Sequence, residues 1–266
     1  MSLRRDVRAS VALEVTGDTA FMLAVAPARG VPVTAEELAV RLDGEPVATR
    51  ELDDLHGTRL RLFETGAGLL EIDYRAEVVG RAAAAPLDPL DEVTYLRPSR
   101  YVPSDALQPF ARENFPGPAG EDLVRTVTGW VHDRLRYEAA ATSPTGGAAE
   151  TLEAGAGVCR DFAHLTAALL RALDVPARMV SVYAPELLPP DFHAVTEALV
   201  GGRWVVADAT RLAPREGMVR VATGRDAADT AWLTNTLGDI TLERLTVEAS
   251  ADRVLAEDPG ALVELG

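Results

Sequence analysis

The chain has no lysine: all 26 of its basic residues are arginine. Schiff-base chemistry and a self-cross-link through a lysine are therefore excluded. Cysteine is almost absent as well. Cys159 is the single one, so no internal disulfide can form and a reducing, cytoplasmic location is expected. No apolar stretch approaches the roughly 20 residues of a transmembrane helix. No apolar segment follows the arginines of Met1 to Ser10, so a secretory signal is not expected there. Positive charge is scarce: 41 acidic residues against 26 basic ones leave a net charge of −15. A nucleic acid or an anionic membrane needs a basic patch, so neither is expected as a partner. No group of His, Cys, Asp and Glu has the spacing of metal ligands, so neither a zinc site nor a cofactor is expected.

What is present suffices for an ordinary core, because 47% of the residues are apolar. The first eighty residues alternate apolar and polar positions. Val11, Leu13 and Val15 form one run, Phe21, Leu23 and Val25 a second, Leu60 and Leu62 a third, and Leu70, Ile72, Tyr74 and Ala76 a fourth. Period-two alternation bounded by Gly, Asp and Pro predicts half-buried antiparallel strands and a sandwich-like module over residues 1–80. Residues 81–98, with an alanine run, prolines and acidic residues, read as a linker. From 99 to 266 the pattern is mixed, so the fold class is α+β. Leu123, Val127, Trp130, Val131 and Leu135 share a helical face within 121–137. A loop rich in Ala, Thr and Gly follows at 139–149. A second helix runs from about Cys159 to Leu173 and is stopped by Pro176. Strands are predicted at 177–184, 193–200, 203–209, about 217–223 and about 240–249. The last fifteen residues read as a loosely held tail.

Gly155-Ala-Gly-Val-Cys159 leads from a glycine-bearing loop into that second helix. A thiol attacks only as the thiolate, and the unpaired N–H groups and partial positive charge of a helix N-terminus favour the anion. Arg160 either adds positive potential or points into water. The ordinary alternative is a buried cysteine acting as a small apolar residue.

Downstream, His193 to Val200 and Arg203 to Asp208 flank Gly201-Gly202, a two-residue hairpin signal. In that register 200 faces 203, 195 faces 208 and 193 faces 210. Asp208 then lies one diagonal step from His193 on the same face, within reach of a hydrogen bond. The order Cys159, His193, Asp208 suits a nucleophile, a base and an orienting carboxylate. An edge histidine and a loop aspartate would give the same spacing. Of the other histidines, His132 is expected to face solvent, His164 to be structural and His56 to lie in a turn.

Five stretches together resemble the bacterial branch of the transglutaminase-like superfamily. They are Tyr95-Leu-Arg-Pro-Ser-Arg-Tyr101, Trp130-Val-His-Asp-Arg-Leu-Arg-Tyr137, Gly157-Val-Cys-Arg-Asp-Phe-Ala-His-Leu165, Asp191-Phe-His-Ala194 and Gly224-Arg-Asp-Ala-Ala-Asp229. The resemblance spans nearly the whole chain. It implies a β-rich N-terminal module before a papain-like core, in which a cysteine-bearing helix packs on an antiparallel sheet carrying histidine and aspartate. By that resemblance the catalytic positions are Cys159, His193 and Asp208. Two positions depart from the pattern: Val195 replaces a tryptophan usual two residues after the histidine, and Val102 replaces a common cysteine. The implied activity is a thiol-dependent hydrolase acting on peptide or amide bonds through a Cys159 thioester, with a peptide or protein as substrate. Amine-accepting transglutaminase or acyl-CoA-dependent acyltransferase chemistry is the first alternative, and a non-catalytic binding module retaining the fold is another.

Overall fold

A computed structural model describes residues 2–265. Alternation of apolar residues builds the first half as expected, into two facing antiparallel sheets. One has the order Ile240–Ala251, Arg4–Val15, Gly68–Val79, Val33–Leu42 and Glu45–Pro46; the other has Leu233–Thr236, Thr19–Leu23, Arg59–Thr65 and Arg50–Asp53. Val7, Val11, Leu13, Leu70 and Ile72 of the first sheet are buried with Phe21, Leu23 and Phe63 of the second. The rings of Phe21 and Phe63 stack with centroids 5.0 Å apart. At roughly 1.5–3 kcal/mol for each large apolar side chain removed from water, this interior is the main source of cohesion here.

Sheet membership does not follow the linear division at 81–98. The strand predicted near 240–249 exists as Ile240–Ala251, but it pairs antiparallel with Arg4–Val15, Ala9 opposite Val247. Leu233–Thr236 likewise joins Thr19–Leu23. Backbone donors on the outer edge of a sheet need partners, and here the end of the chain supplies them. The presumed linker is also structured: Asp88 caps a short helix, Pro89–Thr94, and Tyr95 behind it is buried.

The second half is built on a four-stranded antiparallel sheet, ordered Arg203–Ala207, Phe192–Val200, Ala177–Tyr183 and Val219–Gly224. The helix Cys159–Ala172 packs on Phe192–Val200, and every residue from Asp161 to Ala172 is buried. Ser104–Asn114, Gly120–Arg134 and Ala148–Ala154 surround it and share its core through Leu107, Val127, Val131 and Leu165. The two halves share apolar surface, since Tyr183, Val219 and Val221 also belong to the interior of the N-terminal sheets.

The predicted helix over 121–137 stops at Arg134. Leu135 turns to an extended conformation (ψ 140°), and Arg136–Tyr137 instead forms a short parallel pair with Ala156–Gly157. The expected loose tail is tied down. Val206 N donates to Val263 O at 2.7 Å, Arg215 bonds Glu257 and the carbonyls of Asp258 and Ala261, and Leu265 is buried. A tail lacking local periodicity can still bury polar backbone against a core built elsewhere. Among the described residues no helix is long and apolar enough to cross a membrane.

Candidate active site

Cys159 occupies the first position of its helix and is half-buried. The chain reaches it through a bend that needs glycine twice. Gly155 ends the helix Ala148–Ala154 at φ 63°, a left-handed conformation that costs little only without a side chain. At Gly157 a Cβ would lie 2.6 Å from Asp161 Cβ, so a larger residue would collide with the helix. Asp161 reaches back to accept the Val158 N–H at 2.9 Å, closing the helix start. Arg160 does not point into water: it donates to the carbonyls of Ser143, Pro144 and Gly146, pinning the preceding loop.

The hairpin forms in the expected register, with Val200 opposite Arg203 and Thr196 opposite Ala207. Continued past the last paired residues, it brings Asp208 to His193. Nε2 of His193 lies 3.1 Å from Oδ2 of Asp208, both side chains being essentially inaccessible to water. The other oxygen, Oδ1, accepts from the backbone N–H and hydroxyl of Thr210 at 2.9 and 2.8 Å. Nδ1 of His193 is buried and makes no hydrogen bond, and the cysteine is close enough to the ring to influence its charge. Sγ of Cys159 stands 4.0 Å from the Phe192 carbonyl, next to the histidine in sequence. Cys159, His193 and Asp208 are thus brought together from a helix start, a strand start and a strand end.

Electrostatics follow from that placement. Burial alone disfavours the imidazolium, yet the Asp208 carboxylate, its hydrogen bond and the cysteine sulfur together hold His193 up at about 10. Burial works against the Asp208 carboxylate too, but His193 and the Thr210 donors keep it below the ordinary value. Both effects favour a carboxylate paired with a protonated ring, and the second ring nitrogen is left free of hydrogen bonds.

Two participants were not foreseen. Tyr137 is brought beside Cys159, and burial, followed by the neighbouring cysteine, pushes its hydroxyl up to about 12. Its position follows from the parallel pairing of Tyr137 with Gly157, two residues ahead of the cysteine. Its membership of the Trp130–Tyr137 stretch was the available signal, but helical periodicity pointed to a helix there. His132, expected to face solvent, is half-buried and hydrogen-bonds Ala209 O through Nδ1 at 2.9 Å, bracing the backbone beside Asp208. His164 is structural, as expected: its ring stacks on Tyr101 at 5.2 Å, Nε2 accepts from Ala227 N–H, and burial drives it down to about 4. His56 contacts the Tyr95 hydroxyl at 2.6 Å in a separate polar cluster.

The two departures from the family pattern are explained by packing. Val195 is buried among Val180, Val182, Val206 and Met218, so that position serves the interior. An aromatic neighbour comes from elsewhere in the chain, Trp232 stacking on Phe192 at 5.6 Å. Val102 is buried in the core around the cysteine helix. Among the described residues no group of three His, Cys, Asp or Glu could hold a metal ion.

An α+β core in which a helix-start cysteine meets a histidine and a carboxylate on a hairpin defines a papain-like thiol site. The family model described as the transglutaminase-like superfamily matches residues 112–209. A crystal structure described as a "putative cysteine protease" from Cytophaga hutchinsonii is 32% identical with a TM-score of 0.89, covering 98% of this chain and 96% of that one. The uncharacterised protein ML0607 of Mycobacterium leprae (strain TN) is 28% identical over 199 residues, 68% of this chain and 69% of that protein. This chain belongs to the transglutaminase-like superfamily.

Proposed function

We propose that the protein is a thiol-dependent hydrolase of peptide or amide bonds, with Cys159 as nucleophile, His193 as acid and base, and Asp208 as the residue orienting the ring. The observation that carries this is the His193 ring itself. Its Nε2 is committed to Asp208, which leaves Nδ1 to exchange a proton with Cys159 and with the leaving group. The thiolate attacks the amide carbonyl carbon, and the carbonyl oxygen takes up negative charge. Nδ1 delivers its proton to the departing amine as the C–N bond breaks, leaving a thioester on Cys159. Nδ1 then accepts a proton from water, whose oxygen attacks the thioester and releases the acid and the thiolate.

The tetrahedral oxyanion needs donors where it develops. The Cys159 backbone N–H is one, and the Tyr137 hydroxyl, brought close by the pairing of Tyr137 with Gly157, is the second. The similarity to the Cytophaga hutchinsonii protein supports thiol chemistry in general.

The test is incubation of the full chain with amide-containing peptides and a labelled primary amine, with products read by mass spectrometry. Hydrolysis predicts free acid, lost in Cys159→Ala. Labelled amine in the product would assign acyl transfer instead, and a Cys159 that resists alkylation until the protein unfolds would assign a non-catalytic scaffold.

A further inference from the structure

Acidic groups on the segments that build the site pair with cations. Asp161 pairs with Arg160 at 3.2 Å, Asp208 with His193, and Glu138 with Arg136 at 3.7 Å. Asp191 is partly exposed, and among the described residues it forms no ion pair with an arginine. Its carboxylate makes a local hydrogen bond, Oδ1 accepting the Phe192 N–H at 2.7 Å. It lies beside the site, bonded to the residue whose carbonyl faces Sγ. The carbonyl of the next residue, Phe192, is the one beside Sγ, and the residue after that is His193. The carboxylate is close enough to His193 and Tyr137 for its charge to bear on both. Partial burial raises its pKa above the ordinary value, with the Phe192 N–H and His193 offsetting only part of that cost. A carboxylate so placed gains from a cation that approaches the sulfur.

We propose that Asp191 is a specificity-determining residue that selects substrates bearing a positive charge, an arginine or lysine side chain or a protonated amine, beside the bond attacked by Cys159. The inference rests on the proposed role of Cys159, since it takes the sulfur as the point that substrate reaches. Attraction is reinforced at long range by the net charge of −15, which draws cations toward the surface generally. Asp191 adds the local part, at the sulfur, where the scissile bond must sit.

The experiment separates this inference from the hydrolase reading by using the thiol directly. Three methanethiosulfonate reagents are compared at low ionic strength, carrying a trimethylammonium, no charge or a sulfonate. In each, the Cys159 thiolate attacks the sulfenyl sulfur, a mixed disulfide forms and methanesulfinate leaves. The cationic reagent is expected to react at least about tenfold faster than the anionic one, and Asp191→Asn should shrink that ratio by roughly three- to tenfold. Glu243→Gln, an equal charge change on the exposed strand Ile240–Ala251, should leave the ratio unchanged. A ratio that Asp191→Asn does not move, or that Glu243→Gln moves as far, overturns the proposal. Peptides carrying arginine or neutral, isosteric citrulline next to the amide then extend the measurement to kcat/KM. If reagent discrimination depends on Asp191 but no peptide is cleaved, the hydrolase reading fails while the Asp191 assignment stands. A folded protein inert to all three reagents overturns the role of Cys159, and this inference with it.

Discussion

Asp208 divides its two oxygens between His193 and Thr210: Oδ2 takes the ring nitrogen at 3.1 Å, and Oδ1 takes the backbone N–H and hydroxyl two residues on. The threonine donors hold the carboxylate in one orientation, and the carboxylate holds the ring. An amide in its place can present its NH2 group to Nε2 and stabilise the wrong tautomer. Asp208→Asn is therefore expected to keep the fold and lower kcat by about 10³–10⁴. Steady-state kinetics beside circular dichroism will check this, and near-normal turnover would remove Asp208 from the mechanism.

Stability should depend on pH through the same pair. His193 binds its proton more tightly folded, at about 10, than the ordinary histidine value of 6.5. Its contribution is complete below about pH 6.5 and declines as pH rises toward about 10. Urea midpoints measured across that range should fall, and His193→Gln should flatten the decline.

A buried ion cluster predicts the largest loss of stability. Glu197 is inaccessible to water between Arg178, whose Nε is 2.8 Å away, and Arg220, which bonds both its oxygens at 2.6 and 3.0 Å. Burial opposes its charge, but the two arginines hold it down at about 2. Its stabilisation is present above about pH 4.5 and is lost as pH falls toward 2. Glu197→Gln leaves two guanidiniums facing each other with no anion between them. The expected cost is about 3–5 kcal/mol, read from urea unfolding at neutral pH.

Tyr137→Phe separates oxyanion stabilisation from thiol reactivity. Acylation by an activated ester should slow by about 10²–10³. Alkylation of Cys159 by iodoacetamide forms no oxyanion and should proceed at the unaltered rate. Equal slowing of both reactions would show that the hydroxyl acts on the sulfur instead.

The features legible in the sequence are those with local causes. Gly201-Gly202 admits a two-residue turn, and a turn of known length sets the pairing of the strands it joins, which is why the sequence alone places Asp208 beside His193. The helix after Cys159 declares itself through Phe162, Leu165, Leu169 and Leu173 and through Pro176. By contrast, Tyr137 reaches Cys159 through a two-residue strand, too short for any periodicity, and His132 meets Ala209 across 77 positions of chain. Trp232, which stacks on Phe192, belongs to a segment with no pattern linking it to the site.

The amino-acid order by itself determined which elements form, since alternation, helical period and turn chemistry act over a few residues. It also determined that one thiol, one histidine and one aspartate could share a site. Only the tertiary structure decided what surrounds them: the tyrosine beside the cysteine, the threonine behind the aspartate, and the carboxylate of Asp191 without an ion-pair partner. It also decided that the last long strand closes the first sheet. Those outcomes depend on burying apolar faces and satisfying backbone groups between distant segments, and no short window of sequence encodes them.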